Sequence, residues 1–525
     1  MSSLAGLFAL RRNDDAVRRK TAADLACDAL FLLLILFNVA RTLRHAMWRD
    51  ELQVFQLALS SESLPRLFAR LKYEAHGALW DGLVWLLTRL TADPAWMQVL
   101  HAALAIALWI VIYRWSPFGR VEKFLLLASY FLFFEYFVVS RSYVPAALLG
   151  FAFVALRQHR PSACVVPCLL LGLMANLMAH AAIWSMALAV GFLLEKRRRE
   201  LPFVAGIAVY LGLLAFGIAT MIPAADFGPW GRDAGLDLSR LNGVLAVPLG
   251  AFVPVVPGWI EAAMAYMAGA SDAIPRYWNP NPLAAVVAPT SADTGHPLRL
   301  ALIYLAPIAL CWLIARRPLR VLEFALAYLG IVAFAAIWDF VGSSRHHGIV
   351  FLALIAAAWM ARVRSRNGAA SAWALRAVLL VSTVAGMLTL ASELRPFSQG
   401  RNAALWLKQN NLANAFLIAS RDAQASSVAG YLGRPLYYLE FECSGTFIVW
   451  NGARQSPLSP EQFRARLARA FQVGGGFAAI LIRNRPIAPG ELSDADPRAE
   501  LLQSFPDAET DEVYWIYRIS GMPSY

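Results

Sequence analysis

Between residues 27 and 390 the chain is a succession of apolar runs, many of them about as long as a bilayer is thick, separated by short clusters of arginine and lysine. No other feature restricts the fold so much. In hydrocarbon every backbone N–H and C=O needs an internal partner, so such runs must be helices. Composition agrees: 59% of the 525 residues are hydrophobic and 16% charged, against roughly 45–50% and 25% in soluble domains. The net charge of +12 does not indicate nucleic acid, because the basic residues sit between apolar runs, as cytoplasmic loops require. Five cysteines, Cys27, Cys164, Cys168, Cys311 and Cys443, form no disulfide framework, and four lie in apolar segments as small hydrophobes. The spacing of Cys164 and Cys168 puts them on one helix face, but no histidine or carboxylate lies nearby to complete a metal site.

The basic clusters serve as a ruler for topology. Arg11, Arg12, Arg18, Arg19 and Lys20 place a basic N-terminus, residues 1–24, in the cytoplasm. A first helix over residues 27–46 is long enough to remain as an anchor. Helices over 95–113 and 121–140 flank Arg114, Arg120 and Lys123, which belong inside. The turn at 140–143 is then outside, and Arg157 and Arg160 are inside. The apolar stretch 164–194 has basic residues at both ends, so it goes out and returns as two short helices turning near 176–180. A helix over 201–221 leads to an external loop, 223–297, whose less polar part, 241–268, is expected along the membrane surface, with a membrane-spanning hairpin as the alternative. Further helices are expected over 299–315, 321–340, 349–360 and 372–390. The sum is a polytopic all-α membrane domain, residues 25–395, of about eleven transmembrane helices. Residues 47–94 form a first external loop. Its run 77–90 is too short to span and is interrupted by Asp81, so it reads as an interfacial or re-entrant helix.

From residue 396 to 525 the composition becomes that of a soluble domain. Helical and strand patterns alternate there: helices over 402–409, 423–432 and 460–471, strands over 415–420, 436–440, 446–450, 477–483 and 512–519. A small extracytoplasmic α/β domain is expected. Gly474, Gly475 and Gly476 lack the lysine and hydroxyl residue of a phosphate loop and mark a turn.

Three polar groups map to the outer face. The first is Trp48-Arg49-Asp50-Glu51, continued by Lys72, Tyr73, Glu74 and His76. The second is Ser140-Arg141-Ser142-Tyr143, two helical turns after Glu135. The third is Ser343-Ser344-Arg345-His346-His347. Each has a structural reading, as a helix cap or as arginine snorkelling to headgroups. Each also has a functional one, since guanidinium geometry suits phosphate.

Taken in order, these motifs resemble the integral-membrane glycosyltransferases of the GT-C fold, which include protein O-mannosyltransferases, aminoarabinose transferases of lipid A and oligosaccharyltransferases. Asp50-Glu51 matches that family's acidic motif after the first transmembrane helix. His76-Gly77-Ala78-Leu79-Trp80 looks like its His-Pro-Pro-Leu motif without the prolines. Ser140-Arg141-Ser142-Tyr143 looks like its lipid-phosphate arginine. The resemblance covers residues 25–390 and leaves the C-terminal domain unmatched.

It implies a multi-pass protein of the bacterial inner membrane, surrounded by lipid. The implied reaction transfers a sugar from a polyprenyl-phosphate donor to a hydroxyl on a lipid, glycan or protein acceptor, with inversion. Under that reading Asp50 is the general base, Glu51 orients the acceptor or Asp50, and Glu74 is held in reserve. Arg141, Arg345 and His346, helped by Lys72 and His76, stabilise the leaving phosphate. The family allows a divalent metal, but no ligand cluster here compels one. Two other classes remain in view. A lipid-linked-sugar flippase or transporter would place charges at mid-bilayer depth. A scaffold would simply present the α/β domain.

Overall fold

The structure, a computed structural model, describes residues 21–195, 200–228, 235, 244, 246–254, 297–338, 340, 342–362, 368–492 and 498–521. The first helix, α1 (Ala22–Arg44), opens with a capping box in which the Thr21 side chain and Asp24 cap each other's backbone. It exposes Leu32, Leu33 and Leu36, an apolar face suited to lipid. Residues 47–94 form three short helices, α2 (Arg49–Ser60), α3 (Leu64–Leu71) and α4 (Ala78–Thr88), and α2 packs on α4. At eleven residues, α4 is about half of a span.

Next come α5 (Ala95–Trp115) and α6 (Arg120–Leu127). Here the expectation of one helix over 121–140 is corrected. The chain leaves α-helix after α6, makes a π-helical turn over Phe131–Glu135, and unwinds to Ser140. Other helices supply partners for the freed carbonyls. Trp109 Nε1 donates to Leu132 O (3.1 Å), Arg41 Nη1 to Phe133 O (2.9 Å), and the Thr42 hydroxyl to Phe137 O (3.0 Å). That is how broken helices survive at membrane depth.

The bundle continues through α7 (Tyr143–His159), the short pair α8 (Val165–Ala175) and α9 (Ala179–Glu195), and α10 (Leu201–Met221). Most of the loop 223–297 lies outside the described residues. One piece of it, α11 (Ala246–Phe252), packs on a later helix with Val247 and Ala251 buried, so this part is within the bundle and not laid on its surface. Then follow α12 (Pro297–Ala315), α13 (Pro318–Trp338), α14 (Ser344–Arg362) and α15 (Ala369–Ser392). Along α14 nearly every side chain is buried, which makes it the central helix. Among the described residues five helices, α1, α5, α10, α13 and α15, are long and apolar enough to cross a membrane, and α4, α8, α9 and Ala301–Ala315 are apolar but shorter. Length and composition alone therefore do not reach eleven spans.

The C-terminal domain has α16 (Gly400–Gln409), β1 (Leu417–Ser420), α17 (Asp422–Leu432), β2 (Leu436–Tyr438), β3 (Cys443–Gly445), α18 (Pro460–Val473), β4 (Ala478–Arg483), β5 (Arg498–Phe505) and β6 (Tyr514–Ser520). Its sheet runs β3-β2-β1-β4-β6-β5, with β1 parallel to both β2 and β4 and the other pairs antiparallel. Alternate residues serve opposite faces. Leu417, Ala419, Ile480 and Ile482 pack with α16 and α17, whereas Ile418 and Leu481 pack with Phe463 and Leu467 of α18. The strand expected over 446–450 is replaced by β3 just before it, and β5 was not anticipated. The turn at Gly474, Gly475 and Gly476 is present, with positive φ at the last two.

This domain docks on the end of the bundle where α2 lies. Gln53 of α2 donates to Ile448 O (2.7 Å) and accepts from Ile448 N (3.0 Å). Arg49 pairs with Asp511 (2.8 Å), and α17 packs on α2.

Candidate functional site

The site begins where α1 hands over to α2. Glu51, at the third position of α2, reaches back to the Trp48 N–H (3.3 Å). Its carboxylate also meets His45 Nε2 (2.9 Å) and accepts from the Ser140 N–H (2.7 Å). Burial pushes this carboxyl up, but His45 and the backbone donors outweigh burial and hold it below its usual range. Glu51 is thus a latch joining the first helix to the unwound segment before Arg141. It is fully buried and does not line the cavity, which corrects its expected role beside the acceptor.

With Glu51 turned inward, Asp50 faces the other way. Its carboxylate lies 3.2 Å from Arg141 and 2.9 Å from Arg345, with Arg49 at 4.0 Å. Arg141 also donates to the Asp50 carbonyl (2.7 Å). Arg345, in the first turn of α14, lies over the Trp48 ring (5.2 Å), and its carbonyl accepts from the Tyr136 hydroxyl (2.7 Å). Burial raises the Asp50 carboxyl, but Arg345, Arg141 and Arg49 together offset burial and hold it below its ordinary value. Asp50 and two arginines distant in sequence therefore form one ion cluster.

The cluster opens into a cavity of about 500 Å³ lined by Glu74, His76, Arg141, His180, Arg345, His346 and, from the C-terminal domain, Arg421, Gln424, Trp450 and Arg454. The loop bearing Glu74 and His76 docks on the turn between α8 and α9: Gly77 N donates to Leu177 O (3.3 Å) and Leu79 N to Asn176 O (2.8 Å). A side chain on Gly77 would collide with that turn, since its Cβ would lie 2.3 Å from Asn176 O. The close approach fixes this loop against the turn. Glu74 accepts from Gln53 Nε2 (2.7 Å). Burial nevertheless pushes its carboxyl up to about 8, so it carries a proton at neutral pH. Burial, and then Arg141, bring His76 down to about 3, which leaves its imidazole neutral.

His346 also departs from its expected role as a cation. Its Nδ1 accepts from Ser343 N (3.0 Å), so the ring is neutral with its proton on Nε2. It offers a hydrogen bond, not a charge. Lys72 is exposed and lies outside the cavity lining, a correction to its placement among the phosphate-binding groups. Asp50, Glu74, His76, Arg141, Arg345 and His346 do share the cavity. His180, 5.2 Å from His346 between ring centres, and the arginines of the C-terminal domain were missed. His180 looks from sequence like a turn residue, and Arg421 marks only a strand-to-helix boundary.

Among the described residues no three His, Cys, Asp or Glu side chains converge on a point that could hold a metal. The cavity's carboxyls do not suit one either. Asp50 is bracketed by guanidiniums and Glu74 is protonated.

No family model and no curated protein matches this sequence. Among solved structures, the chain is similar to one described as ArnT from Cupriavidus metallidurans bound to undecaprenyl phosphate. The two are 14% identical, the match covers 95% of this chain and 98% of that one, and the TM-score is 0.39. At that score the backbones superpose loosely, and the reading of function rests on this chain's own cavity.

Proposed function

We propose that this protein is a membrane glycosyltransferase that moves a sugar from a polyprenyl-phosphate donor to an acceptor hydroxyl on the outer face of the inner membrane. One observation carries the reading: Arg141 and Arg345 converge on the single carboxylate of Asp50 in the wall of the cavity. Two guanidiniums on one carboxylate are a ready-made phosphate site. A donor phosphate entering there competes with Asp50 for both arginines. It thereby frees the carboxylate, whose basicity rises as its counter-charges turn to the phosphate.

The chemistry then balances with groups in the cavity. The acceptor oxygen bonds to the anomeric carbon from the face opposite the phosphate, inverting the configuration. The bond from that carbon to the phosphate oxygen breaks, and its electron pair leaves with the phosphate monoester. Asp50 takes the acceptor's proton. Arg141 and Arg345 hold the charge that grows on the leaving group, and the neutral Nε2–H of His346 adds a hydrogen bond. Glu74 already carries a proton, so Asp50 is the better base at neutral pH.

Sidedness is supported by helix direction. From the cavity end, α7 runs to Arg157 and α14 to Arg362, roughly 21 and 27 Å away at 1.5 Å per residue. The basic clusters therefore lie at the end away from the cavity, as a cytoplasmic face requires.

The test is mass spectrometry of cell-envelope glycans from cells with and without the protein. Loss of one defined sugar on deletion, restored by the parent gene, is expected. An unchanged glycan profile, together with no transfer by purified membranes from any polyprenyl-phosphate sugar, would reject the assignment.

A further inference from the structure

The C-terminal domain gives the cavity a cation of its own. Arg421 follows β1 directly and is the residue before α17. Strands β2, β1 and β4 lie side by side and parallel, with the intervening helices α17 and α18 packed on opposite faces of the sheet. The carboxyl end of β1 is therefore the point where strand order reverses, the position at which open α/β sheets bind ligands.

The residue is held there in an unusual way. Its backbone is left-handed, with φ 62° and ψ 69°, a conformation that costs little only for glycine. Glu440 fixes it by accepting from Arg421 N (2.7 Å) and Asp422 N (3.3 Å). The local fold would be served better by glycine, so nothing in the backbone calls for an arginine.

The neighbouring charges are occupied. Asp422 accepts from Nε and Nη2 of Arg454 (2.7 Å each) and from Ala423 N (2.8 Å). Glu440 is committed to backbone. Arg454 lies over the Trp450 ring (4.7 Å), which also lines the cavity. Among the described residues the Arg421 guanidinium makes no hydrogen bond or ion pair of its own. It lines the cavity beside a tryptophan–arginine wall against which a sugar ring can lie.

We propose that Arg421 binds a single negative charge on the acceptor, a carboxylate or a phosphodiester, so that the C-terminal domain selects an anionic glycan. The word acceptor rests on the glycosyl-transfer reading; the anion site does not. The donor phosphate already has Arg141 and Arg345. One guanidinium matches one negative charge better than a phosphate monoester, which carries nearly two.

Binding to the purified full-length protein in lipid nanodiscs tests this by calorimetry at low salt. The probes are methyl glucoside, methyl glucuronide and the methyl phosphodiester of glucose 6-phosphate. One or both charged probes should bind about tenfold more tightly than the neutral one, and which of them does identifies the anion. Arg421→Gly should abolish that preference while melting no lower than the parent, because glycine relieves the left-handed backbone. Arg421→Lys should keep part of it.

Equal affinities for all three probes in the parent, or a preference that survives in Arg421→Gly, would overturn the proposal. So would a preference lost only together with a lower melting temperature. Transfer is not read in this experiment. A charge preference in a protein that transfers nothing would therefore sink the transferase reading and leave the anion site standing.

Discussion

Adjacent in sequence, Asp50 and Glu51 do opposite things, because successive residues of a helix point about 100° apart. One turn of α2 sends Glu51 into the protein, where three donors fix it, and sends Asp50 into the cavity. Their type and position could be read from the sequence, but the division of labour could not, since it depends on Ser140 and His45 arriving from other segments. The protonation states were likewise hidden. A glutamate two residues before a histidine gives no sign that burial will neutralise both.

Glu74 offers a direct check. Its carboxyl ordinarily titrates near 4.5 and in the folded protein near 8. Between these values the native state binds more protons than the unfolded chain, so stability falls as pH rises. Glu74→Gln cannot ionise, and its carbonyl still accepts from Gln53. The variant should therefore lose less stability than the parent between pH 5 and pH 8, with a gain on the order of 3–4 kcal/mol at pH 8. Thermal melts across that range measure it. Parallel curves for the two proteins would mean that Glu74 is ionised.

At the scale of elements, legibility followed locality. The paired short helices α8 and α9 could be anticipated from basic residues at both ends of one long apolar run, and α10 from its uninterrupted hydropathy. The break after α6 could not. Residues 124–139 are apolar apart from Ser129 and Glu135, and what permits the π-turn is a set of donors on other helices, Trp109, Arg41 and Thr42. That break is what delivers Arg141 to Asp50. For the same reason β5 escaped notice, because its pairing partner β6 supplies the register.

Gly77 shows how one contact between elements positions the site. Replacing it with valine forces the loop off the α8–α9 turn, because the atoms in the way are backbone. A cost of about 1–3 kcal/mol is expected, with at least a tenfold loss of transfer as Glu74 and His76 shift. Gly82 in α4, which has open space around it, is the control, and Gly82→Ala should leave both stability and transfer intact.

For the whole molecule, the cavity closes only when the membrane bundle and the C-terminal domain are joined, since both supply its walls. Sidedness then applies to the entire site. Cys443 is exposed on the C-terminal domain, while the other four cysteines are buried or half-buried. A membrane-impermeant maleimide should label the parent in intact spheroplasts and fail to label Cys443→Ser. Labelling only after permeabilisation would place the domain, and the cavity with it, on the cytoplasmic side.

The central claim is that Asp50 takes the acceptor's proton in a sugar transfer. It is tested by glycan transfer in purified membranes supplied with polyprenyl-phosphate sugar, comparing the parent with Asp50→Asn at matched expression. Asparagine keeps the shape and can still accept from Arg141 and Arg345, but it cannot take a proton. The account predicts a fall in turnover of about 10²–10⁴-fold per folded molecule, together with a lower melting temperature, because Arg141 and Arg345 lose their counter-charge. Transfer by Asp50→Asn at the parent's rate would contradict it.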